Sequence, residues 1–131
     1  MDVLFLDANV LFSAAYAAEA GLLELWRLAE VRLVSSQYAI EEASRNLSDR
    51  RQQSRLNRLL RRVQVRANEP EGVLPHGLVL AAKDRPILAA AIAAGATHLL
   101  TGDRTHFGQY FGRSVGGVTI LPPGEYLRQR R

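Results

Sequence analysis

The sequence predicts an α/β protein, a three-layer α/β/α sandwich around a central, mainly parallel sheet. Three observations carry that prediction. Short apolar runs at residues 3–6, 32–35, 97–101 and 118–121 have the length of buried strands. Stretches rich in Ala, Leu and Glu separate them with helical spacing. The runs stop at turn-forming or polar residues, among them Asp7, Ser36, Gly102 and Pro122. With 131 residues the chain has room for one domain, spanning 1–131.

Residues 3–6 read as a strand because the apolar run breaks at Asp7 and Asn9. Residues 11–30 read as helical, with Gly21 marking a break between two helices. Residues 32–35 form a second strand, after which Ser36 can cap a helix over 37–47. The helical pattern continues over 48–65, where Leu56, Leu59, Leu60 and Val63 make an apolar stripe. Two prolines and two glycines make residues 68–77 a surface loop. Asp84 and Pro86 open a helix over 85–94, closed by Gly95. Residues 97–101 form the third expected strand, and the last apolar run follows Gly116 and Gly117.

A 47% hydrophobic content supplies a core, and no run of about 18 apolar residues predicts a membrane span. Asp2 and Asp7 interrupt what would otherwise resemble a secretory leader. The absence of cysteine excludes disulfides and thiolate metal sites, and agrees with a reducing cytoplasm. Seventeen Lys and Arg against thirteen Asp and Glu give a formal charge of +4. Lys83 is the only lysine, so the charge is almost all guanidinium, whose planar fork suits phosphate. A GC-rich genome would produce the same Arg and Ala enrichment.

The acids fall in a pattern. Ligands of parallel α/β sheets bind beyond the carboxyl ends of the strands. Asp7 and Asn9 follow the first strand, Asp103 follows the third expected strand, Asp84 opens a helix, and Glu42 lies on the helix after the second strand. Carboxylates gathered at one sheet edge repel one another unless a cation neutralises them, and hard oxygen ligands select Mg²⁺ or Mn²⁺. Each acid alone has an ordinary explanation: Asp7 and Asp84 as helix caps, Glu42 as a solvated helix acid, Asp103 as a turn residue. Their joint placement is what points to chemistry.

The segments FLDANVLFSA, SSQYAIEEASRNL and KDRPILAAAIAAGATHLLTGDRTHF resemble, in this order, the motifs of the PIN-domain family, including VapC-type toxins of toxin–antitoxin pairs. By that resemblance Asp7, Glu42, Asp84 and Asp103 match the acidic quartet, with Glu41 as the alternative to Glu42. Asn9 and Thr101 match the small polar residues beside it. The resemblance implies an endoribonuclease that hydrolyses RNA phosphodiesters with one or two Mg²⁺ or Mn²⁺ ions. Asp7, Asp84 and Asp103 would hold the metal, with Glu42 adding a ligand or holding the attacking water. It further implies a homodimer and a small antitoxin protein as partner. In this reading His106 belongs to a local packing motif, since acids and metal supply the catalysis.

Arg50, Arg51, Arg55, Arg58 and Arg62 are candidates for tracking an RNA backbone, against the plainer reading of a solvated helix face. Leu22, Leu23, Leu25 and Trp26 are either core or a partner surface. Two further functions compete with the nuclease. A non-catalytic RNA-binding PIN module would lack one or more acids. A phosphohydrolase of the haloacid-dehalogenase type would carry an acid where Asn9 stands.

Overall fold

The computed structural model describes residues 1–68 and 73–130. Among the described residues six strands form one sheet: β1 (Asp2–Leu6), β2 (Val31–Ser36), β3 (Val63–Arg66), β4 (His98–Leu100), β5 (Ser114–Val115) and β6 (Val118–Leu121). Their order across the sheet is β3-β2-β1-β4-β6-β5. Every pairing is parallel except β5 with β6. Leu4, Phe5 and Leu6 in β1 are fully buried, as expected of a central strand covered on both faces.

The helices are α1 (Ala8–Tyr16), α2 (Gln37–Asn46), α3 (Arg50–Leu60), α4 (Arg85–Ala93), α5 (Arg104–Phe107) and α6 (Pro123–Arg130). From β1 the chain steps outward to β2 and β3 through α1, α2 and α3, with α1 packed against both of the others. It then crosses back through α4, which packs on β2 and β4, to place β4 on the other side of β1. Right-handed crossovers running in opposite directions put the two helix groups on opposite faces of the sheet. Strand order therefore reverses between β1 and β4, and a crevice opens at their carboxyl ends. Among the described residues no helix is long and apolar enough to cross a membrane.

Several expectations are corrected. The stretch 11–30 is not two α-helices: α1 ends at Tyr16, Ala17 is extended, and Gly21–Arg27 is a 3-10 segment. Buried Trp26 anchors that segment, its Nε1 donating to the Leu59 carbonyl at 3.0 Å. The helix over 48–65 stops at Leu60, because Val63 and its neighbours pair with β2 as a sheet edge. The strand at 98–100 is consequently the fourth among the described residues. Gly116 and Gly117, both at positive φ, close a β5–β6 hairpin where the sequence pattern predicts a single strand. Pro123 begins α6, although the two prolines signal only an end to the strand. The expected loop at 68–77 falls partly on residues 69–72, outside the described residues.

Candidate active site

Asp7 leaves β1 and caps α1, its Oδ1 accepting the Ala8 N–H at 2.7 Å. Its Oδ2 accepts the Thr101 hydroxyl at 2.7 Å and the Asn9 amide at 3.2 Å. Burial pushes this carboxyl up to about 6; the bonds from Thr101 and Ala8 oppose the shift, and the Asp84 and Glu42 charges add to it. Capping and a place in the site are thus both true of Asp7.

Asn9 and Thr101 join the ends of the two central strands. The Asn9 amide also donates to Thr101 Oγ1 at 3.2 Å, and its carbonyl oxygen accepts the Gly102 N–H at 2.8 Å. Thr101 is fully buried, and its Oγ1 accepts the Asp103 N–H at 3.1 Å. Asp103 then caps α5, accepting the His106 N–H at 3.0 Å.

Asp84 differs from the cap that its sequence suggests. It stands at the start of α4 with helical backbone angles and makes no side-chain capping bond. It is 7% exposed, and its Oδ2 accepts no hydrogen bond. Burial raises its pKa; the His106 and Lys83 charges pull it down, while Asp103 and Glu42 raise it further. A buried carboxylate oxygen without a donor is costly unless a cation faces it. The oxygen-rich donor set around it fits a hard divalent ion.

Asp7, Glu42, Asp84 and Asp103 line one open cavity of about 670 Å³. Glu42 is half-buried on α2, whereas Glu41 is exposed. Lys83 stands on the rim, its carbonyl accepting the Tyr38 hydroxyl at 2.8 Å. Burial, and the charges of Glu42 and Asp84, raise the Tyr38 pKa. Val10, Phe12, Leu22 and Pro123 add an apolar lining to the cavity.

His106 takes a larger part than a packing motif. Its Nδ1 lies 2.9 Å from Asp84 Oδ2 and 2.9 Å from Asp103 Oδ2. The spacing of three residues from Asp103 to His106 is the signal that the sequence offers, since i and i+3 share a helix face; the approach of Asp84 has no local signature.

The candidate arginines divide by what they touch. Arg50, Arg51 and Arg58 are exposed. Arg55 donates to the Ala15 and Tyr16 carbonyls at the end of α1, both at 2.9 Å. Arg62 lies beyond α3 and donates to the Trp26 carbonyl. In the leucine patch, Leu25 and Trp26 are buried, whereas Leu22 and Leu23 pack partly against the core.

In backbone the chain is similar to the VapBC2 structure from Rickettsia felis, bound to a DNA fragment from its promoter. The TM-score is 0.68 at 18% identity, covering 92% of this chain and 98% of that one. It is also similar to VapBC-1 of nontypeable Haemophilus influenzae, with a TM-score of 0.62 at 19% identity over 93% and 98% of the two chains. A third similar structure is Mycobacterium tuberculosis VapC20, a Sarcin-Ricin loop cleaving toxin. There the TM-score is 0.54 at 18% identity, over 76% and 91% of the chains. No curated protein matches the sequence. The family model of the PIN domain matches residues 3–105, a span that holds all four acids, and the chain belongs to the PIN-domain family.

Proposed function

We propose that the chain is a metal-dependent endoribonuclease that hydrolyses RNA phosphodiester bonds, with Asp7, Glu42, Asp84 and Asp103 as its acidic site. The observation that carries this reading is the meeting of four carboxylates from four separate segments in one cavity, one of them with a buried oxygen that accepts no hydrogen bond. Asp7, Asp84 and Asp103 would hold Mg²⁺ or Mn²⁺, and Asn9 and Thr101 support them. A bound divalent ion would activate water and offset the charge that builds on the phosphate.

The chain's own residues have separate tasks in this reading. Thr101 and Asn9 aim the Asp7 carboxylate by donating to its inner oxygen. Asn9 fixes the Gly102 turn, and with it the position of Asp103. Glu42, half-buried in the cavity lining, accepts the proton of the attacking water. Lys83 on the rim attracts the phosphate backbone toward an otherwise anionic cleft.

The similar VapBC and VapC20 structures support a toxin role, with a small antitoxin as partner. A homodimer and a cytoplasmic location accompany that proposal. The deciding experiment incubates structured and single-stranded RNA with purified protein in Mg²⁺, Mn²⁺ or EDTA, beside Asp7→Asn. Metal-dependent cutting that the variant lacks is the expected result. A folded protein that binds RNA and cuts none of it under either metal would instead be a binding module.

A further inference from the structure

We infer that His106 adds a nitrogen ligand to the acidic cation site, beside Asp84 and Asp103, and that this mixed set favours Mn²⁺ over Mg²⁺. The inference rests on the metal-dependent reading above and specifies which atoms meet the ion.

Three residues carry it: His106, Asp84 and Asp103 each offer one ligand atom, all within 4.8 Å of one another, with the Oδ2 of each aspartate facing His106 Nδ1. Nδ1 is 2.9 Å from each oxygen. An imidazole nitrogen carries at most one proton, and Nδ1 shares a hydrogen bond with Asp103 Oδ2. Asp84 Oδ2 is left without one, although its side chain is only 10% exposed. It is a buried anionic oxygen aimed at a nitrogen whose bond is already used.

The spacing suits ligation. Donors at right angles around an octahedral ion, with bonds of about 2.1 Å, lie about 3.0 Å apart. The distance from Nδ1 to each oxygen matches that edge with little movement of the chain. The imidazole then carries its proton on Nε2. Asp103 holds the ring in place, because its Oδ1 accepts the His106 backbone N–H.

Donor chemistry gives the selectivity. Mg²⁺ takes oxygen ligands and keeps much of its water, whereas a transition ion such as Mn²⁺ gives up water more readily to a nitrogen ligand. Mn²⁺ accepts carboxylates and an imidazole together. Removing the imidazole therefore costs Mn²⁺ more than Mg²⁺.

The test is electron spin-echo envelope modulation of the full chain with one equivalent of Mn²⁺ and no RNA, using protein made with either natural-abundance or ¹⁵N histidine. A directly bound nitrogen is expected, with a coupling that changes with the isotope. The coupling disappears in His106→Gln and persists in His76→Gln and His98→Gln. By calorimetry, His106→Gln weakens Mn²⁺ about tenfold or more, on the scale of losing a metal-site partner, and changes Mg²⁺ little. Should His106→Gln fold poorly, the isotope effect in the parent, retained in the other two variants, makes the assignment. Bound Mn²⁺ without histidine coupling overturns the inference and leaves the acidic site standing. No binding of either ion by the parent removes the metal-dependent reading itself.

Discussion

The side-chain oxygen of Asn9 accepts the backbone N–H of Gly102 at 2.8 Å, across 93 positions of sequence. The same side chain donates to Asp7 and Thr101, so one amide joins the carboxyl ends of β1 and β4. Asn9→Ala leaves the Gly102 N–H and one Asp7 lone pair without partners. We expect a loss of about 1–2 kcal/mol in stability and a larger loss of activity, because Asp103 is carried by the released turn. Thermal unfolding beside RNA cleavage checks this, and equal, small effects on both would mean the turn is held by other interactions.

Asp7 keeps its proton in the folded chain up to about pH 6, whereas the unfolded residue loses it near 3.8. The folded state therefore binds more protons inside that window. This contribution is present in full below pH 3.8 and is lost as pH rises through about 6. It amounts to up to about 3 kcal/mol for so buried a group. In EDTA, Asp7→Asn should equal or exceed the parent in stability at about pH 7.5 while losing cleavage. Denaturant unfolding at about pH 4.5 and about pH 7.5 reads the difference, and a gap between the two proteins that ignores pH would show that Asp7 ionises normally.

The arginines should separate into two groups. Reversing exposed Arg50, Arg51 and Arg58 leaves stability near that of the parent. It makes RNA binding less salt-dependent, by about 0.7 in the log–log slope for each single-strand phosphate that is no longer neutralised. Arg55→Ala instead takes the side-chain donor from the Ala15 carbonyl, leaves Tyr16 with Gln52 alone, and costs about 1–2 kcal/mol. An unchanged salt slope in the triple reversal would make this face a solvated surface only.

Gly116 and Gly117 should differ in their tolerance of a side chain. A Cβ at Gly116 would meet Ile92 Cδ1 at 2.6 Å, and φ is +58°. At Gly117, φ is +85° and nothing lies within 4 Å. Gly117→Ala should cost about 1 kcal/mol of backbone strain, and Gly116→Ala about 1 kcal/mol more. Pairing Gly116→Ala with Ile92→Val should recover part of the excess, and strict additivity in the cycle would place the cost in the backbone alone.

Local pattern controls what is legible in the sequence. The acids at 7 and 103 follow short apolar runs, so their place at the sheet edge follows from where those runs stop. Strand β3 is hidden because its Val63 continues the stripe of the preceding helix, and only pairing with Leu33 reveals it as sheet. Strand β5 has two residues and no pattern of its own. The part played by His106 depends on Asp84 arriving from 22 positions upstream, which no local signal records. Likewise Arg55 and Arg62 find backbone carbonyls, and the sequence does not show which carbonyls are near.

The pairing of Phe5 with Leu99 and of Leu6 with Leu100 sets the order in which the molecule can become complete. Asp7 and Asp103 meet only after β4 docks beside β1, a closure over more than ninety residues. Pairings so distant in sequence form late and slowly. A nascent chain still short of β4 lacks Thr101 and Asp103, and with them one wall of the crevice that gathers the acids. If the acidic cleft is a nuclease, cleavage begins only when nearly all of the domain is in place, and a prematurely terminated translation product is harmless to RNA.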